Sequence, residues 1–422
     1  MTAFGVILLF LLVALFFAGL REESKNKSPV LLFYAALFVM FIVPTFGNIL
    51  FGGKYPMWVY IDAAVFAVIY IAVFCLSRYL FTIKGSVRLV WLRTVFDKEK
   101  NEDVNYSWTF LMCTLVSLGL FIQGLGIHSF ARALTLNWWE LVHSGSSLVL
   151  AGTYFAYSAS ASLIVADLSR RDNRRGAYAV FLIVGLFLVF SVFVLKSRSY
   201  VLMFMVPYFI FLFYAGRLRV PRLAIYGSLI VFMFVLTRAV RHAENLSEFL
   251  ELGILYYLGD AAEGAETSFV NAFYFFIYNG NAFPGFLENI TLQRIFLFWL
   301  PSFDGWGKPA DFSYYMHSAY FGTSVADGLS MHPTVFGDAY GNAGILGAFI
   351  YPVLLAAMFS LAESVVSLWH SKAFAVAVFA ILSVNALTFA RGAVYNAFMF
   401  SLLPMLVIIA LMTVTKFFYK IR

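Results

Sequence analysis

Charge is scarce in this chain. Only 12% of its 422 residues are Asp, Glu, Lys or Arg, against about 25% in an ordinary soluble domain. That shortage excludes a water-facing globule. The two cysteines, Cys75 and Cys113, both lie in apolar runs, so neither a disulfide framework nor a cysteine-based metal cluster is expected. No His-x-x-x-His pair or carboxylate triad stands out, so no metal and no other cofactor is expected. A Gly-rich phosphate loop, a Ser-His-Asp order and a Gly-x-Ser-x-Gly turn are missing too. The net charge of +7 suggests no nucleic-acid partner, and here the position of each cation matters more than the sum.

Apolar residues fill the space. They make up 62% of the chain, mean hydropathy is +0.85, and Phe alone occurs 49 times, which we read as lipid-facing bulk. Apolar runs long enough to cross a bilayer recur along the sequence. They predict an all-α polytopic membrane protein with about 11 transmembrane helices, at 2–20, 29–50, 58–81, 107–127, 147–168, 177–195, 200–216, 223–240, 345–369, 373–390 and 397–415. Three parts follow: 1–240 with eight spans, one large loop at 241–344, and 345–422 with three spans.

Lys and Arg orient the bundle. Six alternate segments (21–28, 78–106, 169–176, 217–222, 370–372 and 416–422) hold 20 of the 29 basic residues, which places them in the cytoplasm. The first span has no cation before it and three soon after, the reverse of a secretory signal peptide. The N-terminus and the 241–344 loop are therefore expected outside and the C-terminus inside. No internal repeat is visible, which weighs against a transporter built on inverted repeats.

The 241–344 loop is too aromatic for disorder and too long for a passive connector. Residues 244–260 suggest an amphipathic interfacial helix, 267–278 a short apolar helix unable to span, and 280–344 loops with short helical turns. The loop carries eleven of the 22 acids. Most of these read as solvated; as a group they could supply a general base and acceptors for sugar hydroxyls. Trp299, Trp306, Tyr314, Tyr315, Tyr320 and Tyr340 read equally as sugar-stacking rings and as interfacial belt residues.

Cations on the outer side need a reason. Lys196 and Arg198 occupy a four-residue connector, Arg238 and Arg241 end the eighth span, and Arg391 opens the tight link Arg391-Gly-Ala-Val-Tyr-Asn396. Single residues of this kind can snorkel to lipid phosphates. Three groups together point to an anion site at the outer mouth of the bundle, because arginine binds phosphate bidentately and stays charged. His332 is a candidate base near neutral pH, or a loop histidine bonded to backbone. Asp338 is either a base or a helix cap.

These residues suggest a family. Lys196-Ser-Arg-Ser199, Phe298-Trp-Leu-Pro-Ser302 with Lys308-Pro309, the run from His332-Pro-Thr-Val-Phe-Gly-Asp338 through Tyr340-Gly-Asn342 to Gly347, and Ala390-Arg391-Gly392 form one set. It resembles the Wzy-type O-antigen and oligosaccharide repeat-unit polymerases of bacterial inner membranes. The likeness covers about a tenth of the chain. Asp338 stands where that family often has Glu.

The resemblance implies a metal-independent, inverting glycosyltransferase with a GT-C-like helical fold, working at the periplasmic face. It implies a donor glycan on undecaprenyl diphosphate and a lipid-linked repeat unit as acceptor, with the bilayer and a chain-length regulator as further partners. Arg198, Arg238, Arg241 and Arg391 would stabilise the departing diphosphate, His332 or Asp338 would take the acceptor proton, and Lys196, Lys308 and Tyr340 would complete substrate binding. Two alternatives stay open. An O-antigen ligase shares the motifs. A lipid-linked oligosaccharide flippase would need polar residues deep in several spans, where Asp62, Glu363 and Asn385 are the main ones.

Overall fold

The computed structural model describes residues 3–82, 106–128, 147–169, 174–218, 221–222, 225–229, 232–233, 236, 265–280, 286–300, 307–369 and 371–421. Regular structure among them is entirely helical. In chain order it comprises α1 Ala3–Lys25, α2 Leu31–Phe51, α3 Met57–Thr82, α4 Ser107–Gly124, α5 Ser147–Ser169, α6 Arg174–Phe193, α7 Arg198–Tyr214, α8 Ala265–Asn279, α9 Ile290–Phe296, α10 Phe312–Phe321, α11 Thr334–Ala343, α12 Gly347–Trp369, α13 Lys372–Arg391 and α14 Val394–Ile421.

Eight stretches among the described residues are long and apolar enough to cross a membrane, so the architecture is that of a multi-pass helical membrane protein. Two further apolar helical stretches, Phe181–Phe193 in α6 and Arg198–Tyr214 of α7, are shorter. Most of the expected span at 223–240, and the whole expected interfacial helix at 244–260, lie outside the described residues.

Local sequence explains the irregular points. α2 contains a π-helical turn at Phe38–Ile42, just before Pro44. A proline ring clashes with the carbonyl four residues back and offers no N–H, and the wider turn absorbs that conflict. α11 runs almost directly into α12 through Gly344, whose φ of +56° is a left-handed value that glycine adopts without a Cβ penalty.

The chain packs as two compact units. The first comprises Met1–Val90, Ala265–Val365 and Asn385–Met399. There α1 lies along α3, and α8 packs on α3, α11 and the π-turn of α2. Aromatic rings interlock at these crossings: Phe41 on Phe336 at 4.6 Å, Tyr60 on Tyr274 at 4.8 Å and Tyr70 on Phe336 at 5.2 Å between centroids. Edge-to-face pairs of this kind add about 0.5–1.5 kcal/mol beyond the area they bury.

An ion cluster ties this unit together at one end. Arg78 of α3 is 2% exposed. It donates to both oxygens of Glu23 on α1, at 3.0 Å each, and to both oxygens of Glu363 on α12, at 3.0 and 3.1 Å. Ser360 and Ser28 complete the shell. Counted from sequence, Arg78 is one of the six cations of a cytoplasmic segment and Glu363 an isolated mid-span acid. The structure adds that the two side chains are buried against one another.

The second unit comprises Trp91–Gly264, Val366–Val384 and Phe400–Arg422. Its densest pairing is α4 with α5. Ser117 Oγ donates to the Gly152 carbonyl at 2.8 Å, and Phe121 fills the space a side chain at 152 would need. Along α5 the small residues Ser158 and Ser160 allow other close approaches, Ser158 Oγ donating to the Pro404 carbonyl of α14 and Ser160 Oγ to the Met203 carbonyl of α7. Such packing replaces the hydrophobic drive that lipid cannot supply between helices.

Candidate functional site

The site is built where the link from α13 to α14 meets the start of α11, within the first unit. Gly392 in the link has φ +92°, and a Cβ there would lie 2.4 Å from the Thr334 carbonyl oxygen. Only glycine allows that approach. Thr334 is itself in the left-handed region at φ +65°, unusual for a β-branched residue, and is fully buried. Strain of this kind persists only where the surroundings over-determine it, and it clusters at ligand sites.

His332 sits two residues before this point and is 8% exposed. Burial, followed by the nearby positive charge of Arg391, pushes its pKa well below the usual histidine value. The ring is therefore a neutral imidazole at physiological pH, with a lone pair free to take a proton. Its Nδ1 has no hydrogen-bond partner, nor has Thr334 Oγ1, although both atoms are buried. Buried polar atoms without partners are rare, and each calls for a ligand or water that meets it. The Arg391 guanidinium lies over the Phe269 ring at 4.6 Å. His332 and Arg391, picked out separately in sequence, are thus brought together.

Asp338 lies in the middle of α11, inside the apolar stretch Thr334–Ser364 that is long enough to cross a membrane. Its Oδ1 accepts from Thr291 Oγ1 at 3.0 Å and Asn342 Nδ2 at 3.1 Å. Asn342 in turn accepts from the Thr291 backbone N–H at 3.0 Å. This buried side chain joins α9 to α11 through Thr291 and Asn342.

α9 supplies the neighbouring wall. Thr291 and Arg294 are three residues apart and share a helical face. Arg294 reaches over the Tyr395 ring of α14 at 4.3 Å and donates to the Pro309 carbonyl. Lys308 Nζ donates to the Phe298 carbonyl at 2.9 Å. On the apolar side of α9 a cavity of about 180 Å³ is lined by Leu292, Ile295, Phe296, Tyr70, Val335 and Val394, among others. Phe296 and Leu354 on its wall are 65% and 42% exposed.

The remaining candidates fall elsewhere. Lys196 adopts φ +47° in the connector between α6 and α7, and Arg198 is the first residue of α7, both in the second unit. Tyr340 packs among Phe66, Phe273 and Phe286, with centroids 5.5 to 6.1 Å away, as part of the aromatic lattice. Arg238 and Arg241 lie outside the described residues. Among the described residues no three His, Cys, Asp or Glu side chains converge as a metal set.

Thr291 and Arg294 are site residues to which the sequence analysis gave no role, whereas Asn342 stood in the quoted run without one of its own. The i, i+3 pairing of Thr291 with Arg294 on a short helix was the only signal for them.

No family model, curated protein or solved structure matches this chain.

Proposed function

We propose that this protein is a glycosyltransferase that polymerises undecaprenyl-diphosphate-linked oligosaccharide repeat units at the outer face of a bacterial inner membrane. One observation carries the reading: His332, a buried neutral imidazole with an unpartnered nitrogen, lies within the field of Arg391. A base for the acceptor hydroxyl and a cation for the departing charge are what transfer from a lipid diphosphate requires.

The chemistry is direct displacement. His332 takes the proton from the acceptor sugar hydroxyl as its oxygen attacks the donor anomeric carbon. The bond from that carbon to the diphosphate oxygen breaks, the diphosphate leaves with the electron pair, and the configuration inverts. Arg391 meets the departing negative charge. Burial, and then the same cation, hold His332 neutral; a bound diphosphate would offset the cation and favour the imidazolium as the proton moves. Asp338 acts as a positioning residue that holds α11 against α9. Lys196 and Arg198, with Arg238 and Arg241, serve as further diphosphate contacts in this reading.

The finer architecture belongs to the same proposal: about 11 spans, a GT-C-like arrangement, an outer N-terminus, a cytoplasmic C-terminus and a periplasmic 241–344 segment. The test is reconstitution of the purified protein with a short undecaprenyl-diphosphate-linked repeat unit. The proposal expects a product ladder that Arg391→Ala and His332→Ala abolish while the protein still inserts. Normal long-chain product from either variant would contradict it. A single transfer that appears only with lipid A core would identify a ligase instead.

A further inference from the structure

Arg294 and Lys308 are cations with no carboxylate against them among the described residues. Both are half-buried, and each is aimed by a backbone carbonyl, Pro309 for Arg294 and Phe298 for Lys308. The two contacts cross: the stretch holding Lys308 and Pro309 is bound to α9 and its exit at both ends. Carbonyls orient a cation without cancelling its charge. The Tyr395 ring at 4.3 Å holds the guanidinium plane of Arg294 from one side. Its Nε is buried and has no partner. A bidentate acceptor is the group that would satisfy it, and phosphate is the fitting shape.

The apolar cavity begins on the same short helix. Leu292, Ile295 and Phe296 flank Arg294 in sequence and line it, and Val394 lines it next to Tyr395. Its exposed wall residues, Phe296 and Leu354, give an apolar chain a way in from the surface. A cationic cradle with unused donors therefore adjoins an apolar cavity, and the two ends together match one molecule: an apolar chain ending in phosphate.

We infer that Arg294 and Lys308 form a phosphate cradle for a polyprenyl phosphate whose chain enters the cavity lined by α9 and α14, separate from the Arg391–His332 pair. A polymerase must hold two lipid-linked substrates at once, and only one of them loses its diphosphate. The cradle suits the one that keeps it, the acceptor. That last identification rests on the function proposed above, whereas the binding of a lipid phosphate does not.

Binding to the full-length purified protein in nanodiscs tests the inference. Farnesyl phosphate is the probe, with farnesol and inorganic phosphate as controls. Arg294→Gln is expected to weaken farnesyl phosphate at least about 10-fold, as loss of a charge-assisted bidentate contact should. Lys308→Gln should weaken it less, and Arg294→Lys should recover part of the loss. Leu292→Trp, which narrows the cavity, should weaken farnesyl phosphate and leave inorganic phosphate unchanged.

Unchanged affinity in both Gln variants would overturn the inference. So would farnesol binding as tightly as farnesyl phosphate, or inorganic phosphate matching it, since either result removes one half of the site. If Arg294→Gln does not fold, Arg294→Lys and Lys308→Gln decide the question in its place. Arg294-dependent binding in a protein without transferase activity would uphold this inference and sink the polymerase reading. Transfer activity with binding indifferent to Arg294 and Lys308 would do the reverse.

Discussion

In the proposed mechanism His332 is the base, and it stays neutral where an ordinary histidine charges. Its pKa is depressed by burial and then by Arg391. The active, unprotonated form should therefore persist as pH falls through about 6.5, the usual histidine value. Transfer rates should stay flat across that value and decline only in more acid solution. A rate profile falling with an apparent pKa near the usual histidine value would contradict the assignment. The stability linkage has the same origin. As pH falls below about 6.5, the unfolded chain takes up a proton that folded His332 refuses, so its contribution lowers stability progressively toward acid. Replacing His332 by Ala should cost about 10²–10⁴ in rate, the usual range for a general base. Asp338 makes a contrasting case. Asp338→Ala leaves the buried Thr291 hydroxyl without its acceptor, at a cost of about 1–3 kcal/mol, and removes one of the three acceptors of Asn342 Nδ2. Thermal melting of the purified protein should show a large loss for Ala and a smaller one for Asn, which keeps one acceptor oxygen. An Asp338→Ala protein as stable as wild type would mean that Asp338 does not hold α11 against α9.

Between elements, the deciding contacts are the link from α13 to α14 and the clamp on Arg78. Gly392→Ala places a Cβ against the Thr334 backbone and forces an unfavourable φ, so the link must move away from α11. Expression should survive better than activity, because the damage is local to the site. Arg78→Met leaves Glu23 and Glu363 buried without their cation, a change of about 3–5 kcal/mol. The triple change with Glu23→Gln and Glu363→Gln should be milder than the single one, and melting curves separate the two outcomes. Neither contact was fully legible in the sequence. The runs 332–347 and 390–392 stood out by residue type, yet nothing in their spacing said that Gly392 would rest on Thr334. Arg78 looked like one more cytoplasmic cation. Hydropathy marks helices, but their mutual rotation decides which polar residues meet. The apolar stretch at 267–278 was readable as a helix from composition alone, and α8 covers it.

For the whole molecule, the apolar runs made a multi-pass helical architecture plain, since no other element satisfies its backbone in lipid as simply as a helix does. Their number was harder. Eight described stretches meet the length and hydropathy of a span, while Phe181–Phe193 and Arg198–Tyr214 are too short and 223–240 lies mostly outside the described residues. Topology is testable directly. With Cys75 and Cys113 replaced by Ser, a Lys54→Cys protein should react with a membrane-impermeant maleimide added outside, and a Ser371→Cys protein should not. The opposite labelling pattern would invert the proposed orientation and put the His332 site on the cytoplasmic side.

The most direct measurement of the central claim is transfer by the reconstituted protein from an undecaprenyl-diphosphate-linked repeat unit, run with and without EDTA, for wild type and His332→Ala. The proposed mechanism predicts a ladder of products that survives EDTA and disappears in the variant. A ladder lost with EDTA would replace the arginine-assisted mechanism with a metal-dependent one. A ladder unchanged in His332→Ala would remove the imidazole from the reaction. No product from wild type would contradict the glycosyltransferase itself and favour transport of the lipid-linked glycan.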